Sequence, residues 1–314
     1  MSKTRLPFHA ERLEGGGLAV CVLPELGGKI SELRREGGPN VLLTPGRVAL
    51  RRRSPGDRFE DHDASGFDEC FPTVASCPSP GGGAPLPDHG DLWTSAWSFR
   101  REGAGAVMEC ASEAGSARLS RKLALRDGAL RLDYELSARG NGPGPYLWSA
   151  HPLLRASAGS RIYLPPEVRE VEVQGSSAGR LGARGDVLPW PGGERLDVLG
   201  GPPPRTAQKL FAGPLREGLC AFHDAEADES LILRFDPALT PYLGVWICQG
   251  GWRGPEELAV ALEPCSGMPD ALDEAARRGR CPALHRHGSH RWWIELRPVK
   301  GPPPGVLGAL GGRG

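Results

Sequence analysis

One carboxylate stands out for its surroundings. From Leu258 to Asp270, residues Leu258, Val260 and Leu262 alternate with Ala259 and Ala261, the pattern of a strand largely covered on both faces. Glu263 breaks that apolar run, and Pro264 and Gly267 stop it directly afterwards. A carboxylate at such a strand end is paired, hydrated or put to use, because an unpaired buried charge costs several kcal/mol or is neutralised by a raised pKa. Held on a rigid strand, Glu263 is placed to serve as a general base.

Two histidines could complete a proton-transfer site with it. His89 lies in a turn between Asp88 and Gly90, with Trp93 and Trp97 following, and His151 ends a strand after Trp148 and before Pro152. Either histidine alone reads as a satisfied core or surface residue. Together, beside aromatic rings, they fit a sugar site: a pyranose has an apolar C–H face that packs on aromatic rings and hydroxyl edges that want charged or bidentate partners.

Other chemically suggestive groups carry less. Residues 175–179, GSSAG, match the nucleophile-elbow pattern around Ser177, but the Gly, Arg and Pro loop that follows is not the helix an elbow needs. Asp61, His62 and Asp63 have metal-ligand types without a regular spacing, in the charged stretch RRRSPGDRFEDHDAS, and read as a solvated loop. His285, His287 and His290 with Cys281 lack a second group at zinc spacing and read as a polar loop. No metal site is expected.

The elements that must position these residues are strands. Leu123 and Leu125, then Asp127-Gly128, then Leu130, Leu132, Tyr134 and Leu136 alternate strictly, which signals a two-residue hairpin. PELGGKISEL opens with a turn at Gly27 and Gly28, and YLWSAHPLL, VREVEV, GLCAFHD, SLILRFD and YLGVWIC continue the pattern of stacked antiparallel sheets. One helix is expected, from Asp270 as N-cap to Arg278, with Asp273 and Glu274 in the first turn and Gly279 as the left-handed cap.

Composition agrees. The chain of 314 residues holds 45 Gly and 31 Pro between strongly periodic segments, which means many turns rather than disorder. No internal repeat or linker divides it, so residues 1–300 read as a single β-sandwich domain and 301–314 as a disordered or loosely packed tail. Basic and acidic residues number 38 each and are interspersed, so nucleic acid and membrane surfaces are not expected partners, and a small neutral ligand is. The N-terminus lacks an apolar h-region and no run of about 18 apolar residues occurs, which predicts a cytoplasmic protein. The eight cysteines form no C-x-x-C pair and mostly sit in apolar strands, as reduced, buried thiols would.

The ordered set PELGGKISEL, GFDECFPT, PDHGDLW, YLWSAHPLL, VWICQGGW and ALEPCSGMPDAL, with the closing strand, resembles the galactose mutarotase (aldose 1-epimerase) superfamily, in a divergent mutarotase-like branch. The resemblance spans most of the chain. It implies an all-β supersandwich of mainly antiparallel sheets, a monosaccharide pocket on the concave sheet face, and interconversion of α and β anomers without a cofactor. Carried over by position, the family's base falls on Glu263, its general acid on His151 and its second site histidine on His89. Glu263 would take the anomeric hydroxyl proton while His151, kept protonated by a neighbouring carboxylate, gives one to the ring oxygen. The best-known members carry an Asn-Arg pair ahead of the first histidine and an aspartate before a Pro-x-x-Tyr-like stretch, neither of which is matched here. Substrate contacts therefore fall to Asp88, Asp68, Glu69, Lys29, Trp148, Trp246 and Gln249. A monomer or weak homodimer is expected. Two other functions fit the same fold: a non-catalytic carbohydrate-binding or regulatory module, and a hexose 6-phosphate mutarotase using the basic run Arg51–Arg53.

Overall fold

Alternation of buried and exposed positions builds the clearest element. In the strands Ala117–Arg126 and Ala129–Ala138, Leu119, Leu123, Leu130, Leu132, Tyr134 and Leu136 are all buried. Between them, Asp127 and Gly128 both take left-handed conformations, φ 51° and 72°, and Arg126 pairs with Ala129. This is the hairpin expected of Asp-Gly, whose turn twist matches that of the flanking strands.

The computed structural model describes residues 8–140, 144–200 and 205–304. They form two large antiparallel sheets, of ten and eight strands, and a two-stranded ribbon. Residues from both sheets share one core, among them Val20, Ile30 and Phe67 from the larger and Leu119, Leu132 and Ile294 from the smaller. The middle of the larger sheet runs Phe67–Cys70, Ser149–Arg155, Leu258–Cys265, Tyr242–Gln249, Thr206–Ala212 in spatial order. Strands far apart in sequence thereby become neighbours, and Leu258–Cys265 lies between two of them.

The helix is shorter than expected, Leu272–Arg277, and its N-cap residue is Ala271 with no side-chain cap. Asp270 turns instead toward Lys209, whose Nζ lies 3.7 Å from its Oδ1. Asp270 thus sits beside Lys209 and leaves the helix without a side-chain cap. Gly279 does take the left-handed conformation, at φ 65°. Of the expected tail, Gly301 is tied back by its N–H to Asp228 O, and residues 305–314 lie outside the described residues. All eight cysteines are unpaired.

Several charges expected at the site are structural instead. Lys29 is fully buried, with Nζ 2.7 Å from Asp68 Oδ2 and 3.0 Å from Asp63 Oδ2. Arg53 closes the cluster, 2.8 Å from Asp63 Oδ1 and 3.0 Å from Asp68 Oδ1. Asp63 in this cluster and His62, 2.8 Å from Asp57 Oδ2, are buried and paired rather than part of a solvated loop, and Lys29 and Asp68 have spent their polar atoms within the cluster. Burial alone would raise the Asp63 pKa, but Lys29 and Arg53 hold it well below the usual carboxylate range.

Strand alternation sends Glu69 the other way, between the sheets. There Arg121 Nη1 and Tyr134 OH each donate to its Oε1 at 2.8 Å, and Trp148 Nε1 donates to Oε2 at 2.9 Å. Glu69 and Trp148 are thus core residues and not sugar ligands, because a carboxylate enclosed by two sheets takes every donor within reach. Gln249 is also committed elsewhere, its Oε1 accepting from Gly200 N at 2.6 Å.

Replacing Lys29 by Met removes one of two cations from two buried carboxylates. It should lower stability by about 3–5 kcal/mol at neutral pH, read from the urea midpoint. The depressed Asp63 pKa adds stability that is present at neutral pH and lost as pH falls below about 4. Wild-type stability should therefore drop with acid more steeply than that of Lys29→Met.

Candidate active site

Glu263 and His151 meet through strand register. The pairs Ser149 with Cys265 and Leu153 with Ala261 set His151 beside Glu263 on adjacent strands. Their side chains line one cavity of about 580 Å³, with His151 Nε2 3.9 Å from Glu263 Oε1. Glu263 Oε1 and His151 Nδ1 are buried and have no hydrogen-bond partner within the protein. A buried polar atom left so costs about 1–3 kcal/mol, which a ligand hydroxyl would recover.

His89 joins them from a turn that is held on several sides. Its backbone N–H donates to Val74 O at 2.7 Å, and Trp93 Nε1 donates to Asp88 O and Gly90 O at 3.0 and 3.1 Å. These bonds keep His89 in the left-handed conformation, φ 57°, which is strained for a residue with a Cβ. The Asp88 carboxylate accepts hydrogen bonds from His89 Nδ1 at 2.9 Å and from Phe59 N at 2.8 Å. That fixes the tautomer and leaves Nε2 free of this contact. Phe59 stacks on His89, centroids 4.3 Å apart, and meets His151 edge-on at 5.0 Å. Trp246, in contact with Trp252 at 5.3 Å, adds a second aromatic wall.

Sequence reasoning passed over two charged residues here. Lys209 is the lone charge in the strand Thr206–Ala212, and its Nζ ion-pairs with Glu263 Oε2 and lies 3.7 Å from Asp270 Oδ1. Burial alone would lower its pKa, but Asp270 and Glu263 hold it above the usual lysine range, so it is a fixed cation. Asp270 is pushed up by burial and by Glu263, against Lys209. The one sequence signal for Lys209 was its isolation among apolar neighbours. Asp270 was hidden by its suitability as a cap.

The charge of His151 differs from the expectation. Burial first, then the charges of His89 and Lys209, depress its pKa well below 6.5, and Asp68 only partly compensates. His151 is therefore neutral at neutral pH. The expectation was a neighbouring carboxylate that keeps it protonated, and the one beside it, Glu263, is already paired with Lys209.

Among the described residues, Ser177 has no activating base. Its Oγ exchanges hydrogen bonds with the backbone of Ala207. His290 is bonded to Tyr146 OH at 2.7 Å. Among the described residues no group of three or more His, Cys, Asp or Glu could hold a metal ion, and no helix is long and apolar enough to cross a membrane.

No protein-family model and no curated protein matches the sequence. Solved structures do match. The Slr1438 protein of Synechocystis sp. PCC 6803 superposes with a TM-score of 0.71 at 17% identity, covering 96% of this chain and 99% of that one. A proposed aldose 1-epimerase from Escherichia coli K12 gives 0.67 at 17% identity over 93% and 99%. A galactose mutarotase-like protein from Clostridium acetobutylicum gives 0.63 at 16% identity over 94% and 99%. The chain has the galactose mutarotase-like fold. Within that mutarotase-like sandwich, the sequence is divergent, and the likeness is one of fold.

The neutrality of His151 is directly measurable. Its imidazole C–H signals in NMR should hold their neutral-ring positions as pH falls to about 6.5, where an ordinary histidine is half protonated. In Lys209→Met the midpoint should rise, because a positive neighbour is gone. A wild-type midpoint at or above that value would contradict the electrostatics.

Proposed function

We propose that the protein is an aldose mutarotase that interconverts the α and β anomers of a monosaccharide. The observation that carries this reading is the Glu263–His151 pair: an acceptor and a potential donor 3.9 Å apart in an aromatic-walled cavity, each with a buried atom unpartnered by protein. Ring opening requires a proton to leave one oxygen and another to arrive at a second oxygen on the same carbon, which two such groups can serve together.

Glu263 Oε1 accepts the anomeric hydroxyl proton as the imidazolium form of His151 donates to the ring oxygen. The bond from the anomeric carbon to the ring oxygen breaks and the aldehyde forms. Rotation about the adjacent carbon–carbon bond presents the other face of the carbonyl, and the two proton transfers reverse. His89, oriented by Asp88, holds a sugar oxygen, and Phe59 and Trp246 take the apolar ring face. Because burial makes the imidazolium form a minority at neutral pH, the reaction draws on a small protonated fraction. The fold shared with a proposed aldose 1-epimerase supports this reading.

The alternatives have less support. A binding module needs no opposed donor and acceptor. For a sugar phosphate, Arg53 is spent on Asp63 and Asp68, and Arg58 at the cavity ion-pairs with Glu60. The unpaired cysteines fit a reducing compartment, and we place the protein in the cytoplasm acting on an unphosphorylated sugar without a cofactor.

Glu263→Gln should abolish catalysed anomer exchange while leaving the fold intact, measured by polarimetry and by exchange NMR on glucose and galactose. A wild-type rate in that variant would sink the mechanism. In the wild type, kcat/KM should rise roughly tenfold per unit as pH falls from about 8 to about 6, as the His151 imidazolium becomes populated. A flat profile would remove His151 from the acid role.

A further inference from the structure

Mutarotation asks for a base and an acid, yet this cavity holds a fixed ammonium against the base. The proton transfers proposed above give that cation no proton to move, so its presence calls for another reason. We propose that Lys209 is a positioning residue that pins Glu263 Oε2 so that Oε1 alone addresses the substrate, and that Gly244 is the opening through which it does so. The proposal rests on the mutarotase reading of the site for its kinetic consequences.

The strand register makes the arrangement specific. Gly244 pairs with Glu263 on one side, and Lys209 pairs with Trp246 on the other, so Lys209 must cross the Tyr242–Gln249 strand to reach Glu263. It crosses over Gly244. A Cβ at that position would lie 3.1 Å from Lys209 Nζ and 3.2 Å from Glu263 Oε2, in the path of the contact. Gly244 is not among the residues with positive φ, so backbone conformation does not demand a glycine there, and a methyl group would instead require the Lys209 or Glu263 side chain to give way. Lys209 is in turn steadied by Asp270, whose backbone carbonyl accepts from Val74 N and Ala75 N, next to the turn that carries His89.

The consequence is an oriented carboxylate. An unanchored carboxylate can turn about its last bond and exchange its two oxygens. With Oε2 held by Lys209, Oε1 stays 3.9 Å from His151 Nε2 and free of protein partners. Holding a reacting group to within a fraction of an ångström is worth on the order of 10²-fold in rate.

The test is a double-mutant cycle with Lys209→Met and Gly244→Ala. The atoms a methyl group at 244 would meet are the ends of flexible side chains, so Gly244→Ala should fold and simply displace the ammonium. Each single variant should lower kcat for anomer exchange by about 10²-fold with KM nearly unchanged. The double variant should be no slower than either, because both act through one contact. Wild-type kcat in Gly244→Ala, or losses that multiply in the double variant, would overturn the proposal. The contact also has a readout independent of turnover. The buried Lys209 ammonium should give a slowly exchanging ¹H–¹⁵N signal that is lost in Gly244→Ala and in Glu263→Gln. If the wild type shows no catalysed exchange, the mutarotase reading fails, and this signal still decides the contact: its persistence in both variants would refute it.

Discussion

A carboxylate exposed over only 1% of its surface is costly without a charged or hydrogen-bonding partner, and the larger sheet supplies one for Glu263. Lys209 supplies the charge from two strands away. It arrives across Gly244 of the intervening strand, which the register sets opposite Glu263, and Asp270 lies beside it instead of capping the helix. Burial depresses the proton affinity of His151, and this cation adds to that effect. Lys209 thus holds the Glu263 carboxylate on one side and draws Asp270 from the start of the helix on the other.

Two further buried charge clusters hold the wall on which this pair stands. They occupy opposite faces of the short strand Phe67–Cys70, whose Asp68 pairs in register with His151. On the cavity side, Lys29, Arg53, Asp63 and Asp68 neutralise one another. Between the sheets, Glu69 of the larger sheet binds Arg121 and Tyr134 of the smaller, and Trp148 just ahead of the strand Ser149–Arg155. Such groups bond only in one arrangement, and breaking any of them leaves an uncompensated charge, so they fix the registration of the two sheets around the cavity.

The loop side of the cavity works differently. His89 is strained in its backbone and is kept so by hydrogen bonds from its own turn and by the stacked Phe59 ring. A rigid strand pair on one side and a braced turn on the other enclose the space where a sugar would sit. This division explains why the site needs no large moving element to bring its three central groups together.

Much of this was legible in the sequence, for reasons of local physics. Period-two alternation and the Asp127-Gly128 turn identified the sheets, and an apolar run ending in a carboxylate identified Glu263. Aromatic neighbours marked His89 and His151, which the fold does bring into one cavity. What the sequence could not show is which side of a strand a charge faces and what meets it there. Lys29, Asp68 and Glu69 have the residue types of sugar ligands, yet strand alternation and inter-sheet packing turned them into buried pairs. Lys209 and Asp270 looked like a strand charge and a helix cap until strands from distant parts of the chain were laid side by side. The protonation of His151 depends on burial and on charges contributed by several elements. The sequence by itself determined the strands and the chemical candidates, because those follow from contacts between near neighbours. Only the tertiary structure decided which candidates share a cavity, how they are paired and what charge they carry, because desolvation and Coulomb interactions depend on distances that the chain order does not contain.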